Sequence, residues 1–185
     1  MSHCLVIGGT GMLKEVSRQL AYGYDTVSVI GRNKHQMYAL SREMEHLNGN
    51  LDPLLLDYTD YDELLNQLET SIERYGGIDL VVSWIHSTAP EAGRLIAEKI
   101  NGLGVEFRFF DVLGSSYADP SKEEALPDFA LENIKYRRVV LGFIIENSNS
   151  RWLTDEEISS GVIDAINNDR EYSIIGTTVP WDKRP

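Results

Sequence analysis

The residues best placed by type and spacing to do chemistry are Gly8, Gly9 and Gly11, in the stretch VIGGTGMLKEV at residues 6–16. An apolar run stops at the glycines and an amphipathic segment starts at once. Such a junction allows a tight turn and a close backbone approach, and it presents the N–H groups of a helix start. Together these suit a pyrophosphate. Thr10, Met12 and Leu13 complete the loop. An ordinary strand–helix turn would show the same glycines, so the residues at the ends of the other apolar runs must decide between the two.

Arg32 and Asn33 come directly after the second run, with Lys34 next. A carboxylate there would pair with a ribose 2′-hydroxyl, as in NAD-specific sites. A guanidinium instead matches a phosphate bidentately, which points to the 2′-phosphate of NADP. The same residues would also serve as the solvated start of a helix. Asp57 ends the third run in LLLDYTD, where its carboxylate can accept from an adenine amino group while Tyr58 packs beside the ring. Capping the next helix is the competing role for Asp57, and Thr59 is an alternative cap.

These residues need a scaffold that brings the ends of several strands together. The continuous apolar run at 3–8 reads as a strand buried on both faces, and the runs at 26–31, 51–58, 78–85, 105–116 and 136–144 read as further strands. Between them, 12–23, 33–49, 60–77, 90–104 and 154–167 carry helical spacing, and Thr154 with Glu157 forms a capping box at the start of the last. Strict alternation of strand and helix implies a Rossmann-type doubly wound parallel sheet, a three-layer α/β/α arrangement. Residues 1–185 are expected to form one domain, with an irregular segment over 114–135 that carries two prolines and several charges.

The formal net charge of −12 opposes general binding to nucleic acid or anionic membrane, though a phosphate-bearing cofactor can still use a local positive spot. No apolar run approaches the roughly 20 residues that span a bilayer. A basic–apolar–small signal pattern is absent from the N-terminus, so the expected compartment is the cytosol. Cys4 is the sole cysteine and sits in the first apolar run, where it reads as a small core residue. No metal site is expected.

GGTGML, VIGRN, LLLDYTD, IDLVVSWIHS and VLGSS resemble the successive strand ends of the short-chain dehydrogenase/reductase family. The likeness covers residues 3–116 and resumes in VVLGF and in the last helix with YSIIGT. The resemblance implies NAD(P) binding on a sheet of order 3-2-1-4-5-6, with YSIIG as a seventh strand. It also implies dimers in many members, so a homodimer is admitted. Two departures stand out. Lys14 occupies the third-glycine position, where it either reaches a phosphate or holds the helix off the sheet. The family's Asn-Ala-Gly reads Ser83-Trp84-Ile85-His86 here. Ser83 still suits a contact to the nicotinamide ribose, whereas Trp84 would crowd or wall the site.

Family reductases use a serine after the fifth strand and a Tyr-x-x-x-Lys pair, in which the ammonium lowers the phenol pKa. Ser115 or Ser116 matches the serine by position, and Ser116 with Tyr117 is the expected catalytic pair. No tyrosine in the chain has a lysine four residues later. The span between Ser116 and the sixth strand is also too short for the family's long catalytic helix. After the sixth strand, Arg151 and Trp152 either stand over the cofactor mouth, where an Arg–Trp pair suits an anionic ligand or a partner surface, or belong to a loop anchored by a buried Trp. Two functions remain open: an atypical NADP-dependent oxidoreductase acting on an unknown small molecule, and a non-catalytic NADP-binding redox sensor with a protein partner. In a third reading, Lys14 and Trp84 close the site and no dinucleotide binds.

Overall fold

The computed structural model describes residues 1–121, 129–147 and 149–185. The strands are β1 (His3–Ile7), β2 (Thr26–Gly31), β3 (Asn50–Leu55), β4 (Leu80–Ser83), β5 (Phe107–Leu113), β6 (Ile134–Leu141), β7 (Phe143–Glu146), β8 (Asn149–Trp152) and β9 (Tyr172–Ile175). The helices are α1 (Lys14–Leu20), α2 (Lys34–Met44), α3 (Tyr61–Tyr75), α4 (Ala92–Asn101) and α5 (Asp155–Asn167). Seven strands form one sheet in the order β3-β2-β1-β4-β5-β6-β9, and every pairing within it is parallel. The doubly wound sheet and its strand order are those expected from the sequence, seventh strand included.

Alternate residues of each strand feed opposite faces. Val6, Val29, Val82, Phe110 and Val139 pack with α1, α2 and α5 on one face. Leu5, Ile7, Val81 and Phe109 meet α3 and α4 on the other. Because β1 and β4 are buried on both sides, their sequences are unbroken apolar runs. Local signals set the helix starts. Asn33 accepts from the amides of His35 and Gln36, Asp60 from that of Glu63, and Thr154 with Glu157 closes the expected capping box.

The chain departs from expectation at residues 136–152. The apolar run at 136–144 was expected as one strand, but it breaks at Gly142, and β7 and β8 pair as an antiparallel hairpin outside the main sheet. The Gly142 amide donates to the Ile175 carbonyl at 2.9 Å, and a side chain at 142 would collide with the Thr177 carbonyl. The backbone crossing after β9 therefore requires glycine and turns the chain out of the sheet. The third strand also stops at Leu55, three residues early, and β6 begins two residues before the expected start.

Within 114–135, a 3-10 turn spans Ser115–Ala118, Phe129 and Leu131 pack against the α3/α4 face, and Ile134 already belongs to β6. Residues 122–128 lie outside the described residues. No helix among the described residues is long and apolar enough to cross a membrane.

Candidate functional site

Strand order reverses between β1 and β4. Register brings Ile7 opposite both Ile30 and Ser83, so the C-terminal ends of β1, β2 and β4 stand level. A cleft of about 390 Å³ opens there, lined in part by Gly8, Thr10, Gly11, Met12, Arg32 and Trp84. Gly8 has φ +77°, and a Cβ on it would sit 3.1 Å from the Trp84 carbonyl, so both conformation and space demand glycine. Gly9 turns inward instead. A Cβ there would lie 2.9 Å from methyl groups of Val6 and Val29, and would strike the Ser17 hydroxyl, which donates to the Gly9 carbonyl at 2.9 Å. Close packing of helix on sheet is thus supplied by Gly9 and Ser17. The third-glycine position is free to be Lys14, whose ammonium pairs with Glu43 of α2 at 3.0 Å and lines no part of the cleft. Leu13 is wholly buried in the core and does not line the cleft either.

The residues fit a dinucleotide. The amides of Thr10 and Met12 donate to no group among the described residues, leaving donors for an external phosphate. At the β2 end, Arg32 is 79% exposed, and its guanidinium lies 3.5 Å from Asp57. Asn33 is committed to capping α2, although it still borders the cleft. Asp57 does not cap α3, a role taken by Asp60. Its Oδ1 accepts from the Thr59 amide and hydroxyl, and these bonds hold its carboxyl below the ordinary range. Oδ2 is left toward Arg32. Tyr58 lines the cleft, its hydroxyl accepting from the His86 amide at 3.3 Å.

Trp84 and Met12 also line a second cavity of about 310 Å³, bounded by Gly114, Ser115, Leu141, Trp152 and Leu153 among others. Trp84 is therefore a shared wall between a polar half and an apolar half. The apolar half receives Ser115, and neither Ser116 nor Tyr117 lines it. Gly114 leaves β5 in extended conformation and the 3-10 turn begins at once, which buries Ser115 and leaves Tyr117 exposed at the surface. The expected catalytic residues Ser116 and Tyr117 thus stand away from the cavity, and the serine that lines it is Ser115.

Ser83 is corrected too. It is buried on the α3/α4 face opposite Asp111 of β5, and its hydroxyl meets no cofactor cleft. Asp111 accepts from the Tyr136 hydroxyl at 2.7 Å. Burial pushes its carboxyl up to about 6, against the opposing effect of that hydrogen bond. Burial likewise drives the Tyr136 phenol far above its ordinary range, and neighbouring Asp111 adds to the effect.

No family model matches the chain. Over 81 residues it is 32% identical to the 3-oxoacyl-[acyl-carrier-protein] reductase FabG of Thermotoga maritima, which is 43% of this chain and 33% of that relative. The chain thus aligns with about a third of that protein's length. Among solved structures, a protein from Escherichia coli K-12 described as an oxidoreductase superposes with a TM-score of 0.75 at 17% identity, covering 100% of this chain and 99% of that one. A short-chain dehydrogenase/reductase from Burkholderia phymatum in complex with NAD gives 0.72 at 9% identity, covering 94% and 88%. A metagenomic short-chain oxidoreductase in complex with NADP gives 0.69 at 12%, covering 96% and 98%. This is the short-chain dehydrogenase/reductase fold.

Within the short-chain dehydrogenase/reductase fold, the residue that sequence reasoning missed is Arg184. An Arg–Trp pair from Arg151 and Trp152 is one of the two readings of the stretch after the sixth strand. Arg151 instead gives both terminal nitrogens to Glu157 at 2.9 Å, with Glu146 at 2.8 Å, which ties the hairpin to α5. Its place is taken by Arg184, whose guanidinium lies 4.9 Å from the Trp152 ring centre and 5.3 Å from that of Trp181. Arg184 Nε donates to Ser115 Oγ at 2.8 Å. The one sequence signal for this contact was the aromatic–basic string PWDKRP, which carries no spacing rule.

Proposed function

We propose that the protein binds NADP(H) across the two halves of this cleft and reduces a small carbonyl compound at the apolar end. The observation that carries the reading is Arg32. Its exposed guanidinium stands at the β2 end with one long contact to Asp57, and a doubly charged 2′-phosphate competes readily for it. Solved structures of this fold include complexes with NAD and with NADP, which supports a nicotinamide dinucleotide in the same groove. The bound dinucleotide supplies a hydride.

The protein's part falls to Ser115. Its oxygen already accepts from Arg184, so its own proton is available to hydrogen-bond a carbonyl oxygen as negative charge develops there. Solvent supplies the proton that completes the alcohol. Trp84, Met12 and Leu153 exclude water from the reacting face.

Titration with NADPH, NADP, NADH and NAD, followed by nicotinamide fluorescence or heat, tests the reading. Charge-assisted hydrogen bonds contribute about 1.5–3 kcal/mol. Arg32→Ala should therefore weaken NADPH about 10- to 100-fold and leave NADH unchanged. No binding of any of the four dinucleotides would overturn the proposal.

The lack of any Tyr-x-x-x-Lys spacing favours a second reading, a redox sensor that binds the same cofactor without turnover. It predicts a protein partner whose affinity differs between the NADP and NADPH forms. Equal affinity for the two forms would exclude it.

A further inference from the structure

We propose that the apolar cavity takes a neutral aromatic carbonyl compound, an aryl aldehyde or aryl ketone of one or two rings with no charged substituent. The inference rests on the hydride-transfer reading above and adds the class of the substrate. Among the described residues that line the cavity none is charged, and the Ser115 hydroxyl is joined as a polar side-chain group only by the indole N–H groups of Trp84 and Trp152. Leu141 and Ile158 are buried in its wall, and Trp152, 46% exposed, stands at its rim. The charges that come near are held outside. Arg151 pairs with Glu146 and Glu157, and none of the three lines the cavity. Arg184 donates to Ser115 and lies over the Trp152 ring, again without lining it. An ionised substituent in such a place loses its water and gains no partner. At about 310 Å³ the cavity lies at the small end of ligand sites, which run to roughly 1,000 Å³, so the substrate is small as well.

Trp84 gives the cavity its preference for a ring. A Cβ built on Gly8 would lie 3.5 Å from Trp84 Cδ1, and one built on Gly114 would lie 3.9 Å from Trp84 Cη2. The indole thus runs from the β1 end to the β5 end, with its six-membered ring beside the residue that precedes Ser115. A carbonyl bonded to Ser115 therefore carries its substituent next to one indole, in a cavity that a second indole, Trp152, also lines. Aromatic pairs contribute beyond the area they bury, so a ring conjugated to the carbonyl suits this place better than an aliphatic group of equal size. In the reaction the carbonyl π bond opens. Hydride from NADPH forms the new benzylic C–H bond, a solvent proton forms the O–H bond, and the products are a benzylic alcohol and NADP.

Acetophenone is the probe and cyclohexyl methyl ketone its aliphatic control. Methyl 4-acetylbenzoate and 4-acetylbenzoate form a second pair that differs in charge. Trp84 and Trp152 line the cavity, so intrinsic fluorescence reports occupancy without turnover. Titrations on the full chain, with and without NADPH, should show acetophenone binding about 3- to 10-fold more tightly than cyclohexyl methyl ketone. The ester should bind at least about tenfold more tightly than the acid anion. Trp84→Leu should cut the preference for the ring and keep the preference for the ester. Trp152→Leu, at the rim of the cavity, tests the ring preference with the β4 end untouched.

Equal or tighter binding of the acid would overturn the assignment, and so would equal binding of the two ketones. A ring preference undiminished in both Trp84→Leu and Trp152→Leu would overturn it as well. NADPH binding with no response to any of the four probes would overturn the substrate class and leave the cofactor reading standing. Binding of the probes in the expected order by a protein that binds no dinucleotide would sustain the aromatic site while removing the redox reading.

Discussion

Asp111→Asn should stabilise the fold at pH 8 and leave it unchanged near pH 4. Asp111 is 8% exposed, and its carboxyl is pushed from an ordinary 3.8 up to about 6, chiefly by burial. A carboxyl with a raised folded-state pKa favours the native state while protonated. That contribution is complete below about pH 4 and is lost as pH rises through about 6. Above that, the native state carries a buried carboxylate at a cost of about 3 kcal/mol, at 1.36 kcal/mol per pKa unit. Asparagine keeps an acceptor for the Tyr136 hydroxyl, and its amide can also donate across the β4–β5 ladder to the buried Ser83 hydroxyl. The expected gain at pH 8 is about 2–3 kcal/mol, or about 4–12 °C in Tm for a chain of this size. Urea unfolding at pH 4, 6 and 8, followed by far-UV circular dichroism, measures it. His3, which burial holds below its ordinary pKa, titrates with the opposite sign but is common to both proteins and cancels in the difference. A gap between variant and parent that is the same at pH 4 and pH 8 would refute the assignment of a preferentially protonated Asp111.

Gly9→Ala should cost about 1–3 kcal/mol, because the added methyl meets Val6 and Val29 at 2.9 Å, whereas Gly11→Ala, with only the Gly8 carbonyl at 3.9 Å, should be near neutral. Denaturant midpoints of the two variants check this, and equal midpoints would contradict the packing role given to Gly9. Ser115→Ala should lower kcat about 100-fold at unchanged NADPH affinity, as expected for removal of one donor to a developing oxyanion. Steady-state kinetics beside a cofactor titration separates the two, and an unaffected kcat would take Ser115 out of the chemistry.

Much of the fold was legible because parallel, doubly buried strands write themselves as continuous apolar runs, and the β1, β2 and β4 runs end where strand register needs them to. Arg32, Asp57, Tyr58 and Trp84 stand at the cleft because each comes just after a strand end, a place fixed by counting along the chain. Three features could not be counted. The hairpin at 143–152 depends on a backbone crossing between Gly142 and Thr177, a contact 35 residues apart in the chain. Which side of the sheet receives Ser83 depends on the pleat, and that phase set it against Asp111 rather than the cofactor cleft. Choosing Ser115 over Ser116 turned on a single 3-10 turn. Arg184 was hidden for a plainer reason: its partners, Ser115 and Trp152, are 69 and 32 residues away, and no local pattern announces them.

The span between Ser116 and β6 is short, and the cation beside Ser115 comes from the other end of the chain. Between β5 and β6 the α3/α4 face is covered by Phe129 and Leu131, which pack with Phe109 and Tyr136. Tyr136 is the phenol nearest that space, yet it is turned into a buried bond with Asp111. Burial and that carboxylate push it far above the range in which it could exchange a proton near neutral pH. Ser115 reaches the apolar cavity from the β5 end, and Arg184, from beyond the Trp181–Lys183 turn, donates to it without lining the cavity. A guanidinium cannot give up its proton at working pH. It holds the Ser115 oxygen, so in the proposed reduction the proton that completes the alcohol comes from water.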